Sequence, residues 1–399
     1  MSLTNAPSSE RTHIAFFGCT NSGKSSLVNA ITGQNLSIVS DTKGTTTDAV
    51  KKTMEILPLG PVVIIDTAGV NDESSLGAQR IEKTQEVLRQ TDIAVLVADA
   101  TIGLQEDDKN LIKIFEEKKI PYIVVWNKSD LIATQLSCSE KEICVSAKTE
   151  QNINELKELL AKLIKNNQTE KYIVSDKLSV GDVVVLVIPI DESAPKGRLI
   201  LPQQLTLREL LDKHCIIVCS QVEELETTLK KLPQTKLVIT DSQAFNQVSK
   251  IVPESILLTS FSILFANYKG NLEEFVKGAK ALSNLKTGDK VLISEGCTHH
   301  RQCNDIGTVK IPKLIEKFTG IKPVFEFTSG GEFPVDISKY SLIIHCGACM
   351  LNEQEMKSRI SIAQKSNIPI VNYGIAIAYM NGILKRGTQI FPEIHKDFE

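Results

Sequence analysis

From residue 13 to about residue 165, short apolar runs alternate with longer stretches whose apolar residues recur at helical spacing. That is the βα rhythm of a mostly parallel sheet. Residues 13–17, 62–66 and 122–127 read as strands, 24–32 as a helix, and 152–165 as a closing helix. Residues 165–170 form a polar linker. The rhythm then resumes with a strand over 183–190, a turn-rich piece over 191–197 and a helix over 207–213. A strand over 216–219, a helix over 222–232, a strand over 237–240 and a helix over 245–251 complete this middle part. The run 183–190 is apolar throughout, as expected of a central strand buried on both faces or of an edge strand that pairs across a dimer. Two further strands, 290–294 and 340–344, precede an amphipathic helix over 354–366. The pattern predicts an α/β protein in three parts, 1–168, 169–262 and 263–399, the last with a mostly parallel sheet.

The first strand and helix are joined by Gly18-Cys19-Thr20-Asn21-Ser22-Gly23-Lys24-Ser25-Ser26. A glycine-rich turn opening a helix presents backbone N–H groups and the positive helix end to phosphates. Lys24 adds a compact positive charge, and Ser25 can bind Mg²⁺. Asp66 ends the next apolar strand and can hold Mg²⁺ through water, while the Gly69 amide can sense a γ-phosphate. Asn127, Lys128 and Asp130 follow a third strand, and the Asp130 carboxylate can accept from two ring donors that guanine has and adenine lacks. Ser146, Ala147 and Lys148 supply a last loop, whose N–H can meet the guanine carbonyl oxygen. Four motifs in this order imply a P-loop domain that binds and hydrolyses GTP.

Finer features are Asn21 and the segment Gly44-Thr45-Thr46-Thr47-Asp48. Here the domain resembles the Era/TrmE-type GTPases. The resemblance implies that Thr46 completes the Mg²⁺ shell, that 34–48 and 70–79 are the two switches, and that Asn21 helps to bind K⁺ beside the phosphates. Lys24, Asn21, Thr46, Asp66 and Gly69 would then carry catalysis. Val70 occupies the place where Ras-like proteins put a water-orienting glutamine, and a valine cannot orient water by hydrogen bonding. Hydrolysis is therefore expected to be slow or assisted.

Composition narrows the partners. A formal net charge of −3 over 399 residues gives no general pull toward nucleic acid or anionic membrane. Residues 1–10 are polar, and the longest apolar run, 183–190, is too short to span a bilayer. A cytoplasmic protein is expected. Its nine cysteines are scattered too widely for a disulfide framework. Cys19, Cys138, Cys144, Cys215 and Cys219 sit in or beside apolar segments, where core filling is the expected role.

The remaining four behave differently. Glu295-Gly296-Cys297-Thr298-His299 follows one strand at once, and His345-Cys346-Gly347-Ala348-Cys349 follows another. Ligands in open α/β sheets gather outside the carboxyl ends of parallel strands. A Cys-x-x-Cys paired with a distant Cys-x-His has metal-ligand spacing. Zinc would accept Cys297, His299, Cys346 and Cys349, whereas a 4Fe-4S cluster would take three thiolates and leave one iron for another ligand. A thioredoxin-like pair fits less well, since it leaves Cys297 without a role.

The whole chain, an Era/TrmE-like domain joined to Cys-x-His and then His-Cys-x-x-Cys, resembles the (FeFe)-hydrogenase maturation GTPases, the HydF family. That resemblance implies a 4Fe-4S cluster on Cys297, Cys346 and Cys349. It makes His299 and His345 a fourth ligand or hydrogen-bonding neighbours of the cluster, and the middle domain a dimerisation domain. The implied role is a homodimeric scaffold that receives a diiron precursor from radical-SAM maturases and hands it to apo (FeFe)-hydrogenase. Glu295 and Asp305 are further candidates for the open iron; Cys303, outside the motif, is expected to be a bystander. The rival reading is a ribosome- or tRNA-associated GTPase with a structural zinc. It asks for a basic stripe with exposed aromatics, and Lys310, Lys313 and Lys317 lack such company. A redox enzyme would need a flavin or nicotinamide fingerprint, which the sequence lacks.

Overall fold

The computed structural model describes residues 7–33, 50–67, 77–132, 138–167, 170–190, 197, 199–296, 305–334 and 336–396. The chain divides into two units, Met1–Thr169 and Glu170–Glu399.

In the first unit, strands β1 (Thr12–Phe17), β2 (Val50–Ile56), β3 (Gly60–Asp66), β4 (Ile93–Asp99), β5 (Tyr122–Asn127) and β6 (Glu142–Cys144) form one sheet in the order β2-β3-β1-β4-β5-β6. Only β2 runs antiparallel to its neighbour. Helices α1 (Lys24–Thr32), α2 (Gly77–Gln90), α3 (Glu106–Glu117) and α4 (Ile153–Asn167) connect or follow the strands. Alternation decides which face each residue serves. Ile14 and Phe16 pack into one core, Ala15 and Phe17 into the other, and in β4 Ile93, Val95 and Val97 oppose Ala94 and Leu96. The central strands are thus buried on both faces, and truncating one large side chain such as Phe16 to Ala is expected to cost about 3–5 kcal/mol.

The second unit holds two parallel four-stranded sheets. Strands β7 (Val183–Val187), β8 (Ile216–Ser220), β9 (Thr235–Thr240) and β10 (Leu257–Ser260) lie in the order β10-β9-β7-β8. They alternate with α5 (Leu201–Asp212), α6 (Leu225–Lys231) and α7 (Phe245–Ile251). After α8 (Phe261–Lys269) and α9 (Leu272–Lys280), strands β11 (Lys290–Ser294), β12 (Val324–Thr328), β13 (Leu342–His345) and β14 (Ile370–Asn372) lie in the order β12-β11-β13-β14. Helices α10 (Ile311–Thr319), α11 (Glu353–Lys365), α12 (Tyr373–Met380), α13 (Leu384–Gly387) and α14 (Pro392–His395) complete it. Both sheets share one hydrophobic core, to which Phe261, Ile263, Leu264 and Phe265 of α8 contribute.

Three sequence expectations shift here. Strand β7 is central, between β9 and β8, but stops at Val187 rather than at residue 190. Pro189, which has no N–H to donate, follows two residues later. Helix α5 begins at Leu201 instead of 207, because Pro202 occupies its first turn, where no N–H is needed. The core-filler reading holds for buried Cys19 and Cys215 but fails for Cys138 and Cys219, which are exposed. Cys219 lies on edge strand β8, whose Ile216 also faces outward, and Cys138 precedes β6 in a loop.

Candidate functional site

The phosphate loop leaves β1 at Gly18, whose φ of +138° and neighbours admit no side chain: a Cβ there would lie 2.2 Å from the Val97 carbonyl oxygen. Gly23 closes the loop at φ +89°, and its Cβ would fall 2.2 Å from Asn127 Nδ2. The backbone therefore approaches both neighbours as only glycine allows. Lys24, the first residue of α1, is buried and donates from Nζ to the Gly18 and Cys19 carbonyls at 2.9 Å each. Burial holds its pKa below the ordinary 10.5, and the Asp66 carboxylate pulls the other way. Ser25 Oγ donates to Asp66 Oδ2 at 2.7 Å, so two of the three candidate Mg²⁺ residues already meet. Burial, followed by the charge of Asp108, pushes the Cys19 thiol up to about 12, and Sγ donates to Asp108 Oδ1 at 3.4 Å. A thiol so held is inert despite its place in the loop.

Asn127 ends β5 almost fully buried. Its Nδ2 donates to the Ser22 carbonyl at 3.0 Å, and its Oδ1 accepts from the Ala147 N–H at 3.0 Å. One amide thus links the phosphate loop to the last guanine-facing loop. Lys128 adopts φ 63° and places Nζ 2.6 Å from Asp99 Oδ2. Burial raises the Asp99 pKa, but hydrogen bonds from Lys128 and Thr101 outweigh it and hold the carboxyl below its ordinary 3.8. Asp130 is exposed at the rim, and buried Ser146 accepts from the Thr149 N–H at 3.1 Å. Asn127, Lys128, Asp130 and Ser146 line an open cleft of about 720 Å³, well within the usual size of a small-ligand site. Its walls include Gly23, Ser26, Asn127, Lys128, Asp130, Ser146, Ala147 and Lys148, together with Asn29 and Glu150. Asn21 stands at φ 65° in the loop. Thr46, Gly69, Val70, the first switch segment 34–48 and residues 70–76 of the second, 70–79, lie outside the described residues. Sequence reasoning missed Asp99, although its position, an acid ending an apolar strand, matches that of Asp66.

The cysteine edge lies in the second unit. Strands β11 and β13 are parallel neighbours, with Ser294 opposite His345. The chain therefore leaves both strands side by side, and the Gly296 N–H donates to Cys346 Sγ at 3.0 Å. The Ala348 N–H donates to the same sulfur at 3.4 Å. Amides aimed at sulfur favour a thiolate, the form in which cysteine binds metal. Cys349 sits on the same turn; burial raises its thiol pKa, and the positive charge of Lys269 opposes that rise. Gly296 packs so tightly against this turn that a Cβ would meet Leu351 Cγ at 2.6 Å. Cys297, His299, His300 and Cys303 lie outside the described residues. Among the described residues no group of three or more His, Cys, Asp and Glu is placed to hold a metal ion.

His345 is fully buried, and both ring nitrogens are engaged. Nδ1 lies 2.9 Å from the Cys346 carbonyl oxygen, and Nε2 lies 3.0 Å from Arg359 Nη1. A guanidinium only donates, so Nε2 accepts and Nδ1 carries the proton. Burial, with the positive charge of Arg359 behind it, pushes the imidazole down to about 3, and it is neutral. Glu295 is buried and accepts from the Tyr373 hydroxyl at 3.2 Å, while Asp305 Oδ2 accepts from the Thr308 N–H at 2.8 Å.

Among the described residues no helix is long and apolar enough to cross a membrane. The chain is 37% identical to GTPase Der of Kosmotoga olearia over 140 residues, 33% of this chain and 31% of that protein. It is 38% identical to tRNA modification GTPase MnmE of Lawsonia intracellularis over 155 residues, 37% of this chain and 33% of the relative. The chain thus spans about a third of the length of the curated relatives it matches. A solved structure of Aquifex aeolicus Era bound to GDP and AlF4⁻ is 19% identical, with a TM-score of 0.34 over 56% of this chain and 98% of that one. Residues 13–128 match the model of the 50S ribosome-binding GTPase family, so the first unit is a P-loop GTPase domain. Residues 173–270 match the hydrogen maturase F dimerization domain, and 273–390 match the hydrogen maturase F tetramerization domain. With a GTPase domain followed by both of these domains, the chain belongs to the hydrogen maturase F (HydF) type of GTPase.

Proposed function

We propose that this chain is a GTP-hydrolysing scaffold that carries a 4Fe-4S cluster and a diiron precursor, and that delivers the precursor to apo (FeFe)-hydrogenase. The observation that carries the proposal is the Cys346 thiol with two amides aimed at its sulfur, at the strand edge from which the Cys297 segment also departs. Cys297, Cys346 and Cys349 would hold the cluster. The fourth iron site would stay exchangeable, with His299, a carboxylate or an outside ligand as its occupant. Bound there, the cluster supplies an attachment point for the diiron cargo. The part of this chain is to hold thiolates in place and to keep them from water.

In the first unit, Gly18, Asn21, Gly23, Lys24, Ser25 and Ser26 would cradle the phosphates, with Ser25, Thr46 and Asp66 around Mg²⁺ and Gly69 at the γ-phosphate. Asn127, Lys128, Asp130, Ser146, Ala147 and Lys148 would read guanine. Asn21 would add K⁺ to the site. The middle part, 169–262, would form the homodimer, and the last part, 263–399, would bear the cluster. Strand β8 supports the dimer reading, because it is an edge strand with Ile216 53% exposed. Radical-SAM maturases would load the scaffold in the cytoplasm, and nucleotide state would time loading or release.

The test mixes the chain, loaded by the two maturases, with purified apo (FeFe)-hydrogenase and follows hydrogen evolution. Activation by the wild type and none by Cys346→Ser is expected. Equal activation by both would refute a carrier role for this edge.

A further inference from the structure

Among the described residues the largest fully buried side chain is a charged one, Arg359 on α11. Burying a guanidinium costs several kcal/mol unless every arm is matched, so its partners reveal what it is for. Its Nε donates to Glu355 Oε1 at 2.8 Å, a pairing within one helix turn. The remaining arms leave the helix. Nη1 donates to Ser294 Oγ at 3.2 Å and to His345 Nε2 at 3.0 Å, and Nη2 donates to the Gly330 carbonyl at 2.8 Å. Phe333 covers the guanidinium, with Arg359 Cζ 5.1 Å from the ring centroid. Ser294 ends β11, His345 ends β13, and Gly330 lies just past β12. One planar group therefore ties together the carboxyl ends of three adjacent parallel strands. Ser294 stands three residues before Cys297, and His345 stands one residue before Cys346.

We propose that Arg359 is the positioning residue of the cysteine edge: through Ser294 and His345 it sets the departure of both cysteine-bearing segments from the sheet. The inference rests on the cluster reading above for its purpose, but its geometry concerns this chain alone. Arg359 donates to Nε2 and the Cys346 carbonyl accepts from Nδ1, so the two together fix the His345 tautomer and ring plane. The Nδ1–H must then point at the Cys346 carbonyl, which turns that peptide so that Sγ faces the Gly296 and Ala348 amides. A lysine would supply the charge but not the fork, so Arg359→Lys is not a conservative change at this site. Losing hydrogen-bonded neighbours of ligands typically weakens metal retention by about 10–100-fold.

The experiment uses the full chain with ¹⁵N-labelled histidine, as wild type, Arg359→Lys and the paired Arg359→Met/Glu355→Met, which removes both buried charges together. Comparison with His345→Gln assigns the His345 signal. Far-ultraviolet circular dichroism and the thermal melt of the full chain serve as the folding control, since Arg359 lies in the second unit and GTP hydrolysis reports only on the first. In the metal-free wild type the His345 ring is expected as the Nδ1–H tautomer with Nε2 accepting a hydrogen bond; the Cys346 carbonyl keeps the proton on Nδ1 in the variants, and their Nε2 signal should shift toward that of an unbonded ring nitrogen. After reconstitution with iron and sulfide, the variants should lose iron to a chelator at least tenfold faster than wild type, and their reduced spectrum should broaden. A shifted Nε2 signal with no iron bound by any form supports the positioning role and removes the cluster reading instead. An unchanged Nε2 signal with wild-type iron retention and line shape in both variants would overturn the proposal and leave the cluster reading standing.

Discussion

The Asn127 side-chain amide donates to the Ser22 carbonyl at 3.0 Å, so the residue that ends the guanine-reading strand also braces the phosphate loop. Its Oδ1 holds the Ala147 N–H as well. Replacing Asn127 by Ala leaves a buried carbonyl and a partly buried N–H without this partner, the carbonyl alone at about 1–3 kcal/mol. Release of a fluorescent GDP analogue, followed by stopped flow, should be at least tenfold faster in this variant. Unchanged release would mean that the link plays no part in nucleotide binding.

Gly23→Ala should be harsher than its size suggests. The added Cβ would collide with Asn127 Nδ2 at 2.2 Å, and the backbone sits at φ +89°. Neither contact can relax without moving the loop or the guanine-reading strand end. Isothermal titration should show loss of GDP binding, together with a lower melting temperature. Retained binding at wild-type affinity would contradict the observed closeness of the two loops.

Asp99 gives a pH signature with a definite sign. Hydrogen bonds from Lys128 and Thr101 outweigh the effect of burial and hold its carboxyl below the ordinary 3.8, so the folded chain binds this proton more weakly than the unfolded chain does. The stabilisation is therefore complete above that ordinary value and is lost as pH falls through the folded one. Urea melts should show wild type more stable than Asp99→Asn by a constant margin near neutrality, with the margin shrinking below about pH 4. A margin that grew on acidification would reverse the assignment.

Much of the nucleotide site was legible in the sequence because its chemistry is carried by contiguous residues at strand ends. The helix over Lys24–Thr32 and the strand over Tyr122–Asn127 follow from periodicity and a glycine-rich turn, and each loop follows its own strand. Asp99 was missed because its partner, Lys128, comes from a different strand and the pairing exists only once β4 and β5 lie side by side. Arg359 was hidden for the same reason. On a helix with polar residues around most of its surface, nothing local marks this arginine as buried rather than solvated. The end of β7 depended on one missing N–H at Pro189, and the start of α5 on a proline that a helix tolerates in its first turn.

If Asn21 contributes to a K⁺ site, hydrolysis should depend on the monovalent ion. Turnover in KCl should exceed turnover in NaCl at equal ionic strength, and Asn21→Ala should abolish the difference. Equal rates of the wild type in both salts would remove K⁺ from the site while leaving the GTPase domain intact.

The central claim is that the edge at Cys297, Cys346 and Cys349 holds a 4Fe-4S cluster with an exchangeable iron. Its most direct test is electron paramagnetic resonance of the chain reconstituted without oxygen and then reduced, with iron and sulfide assayed on the same sample. The account predicts a reduced 4Fe-4S signal that shifts when imidazole or cyanide is added and disappears in Cys346→Ser. A silent sample that retains one tightly bound zinc would contradict it and would favour a structural metal in a GTPase of another kind.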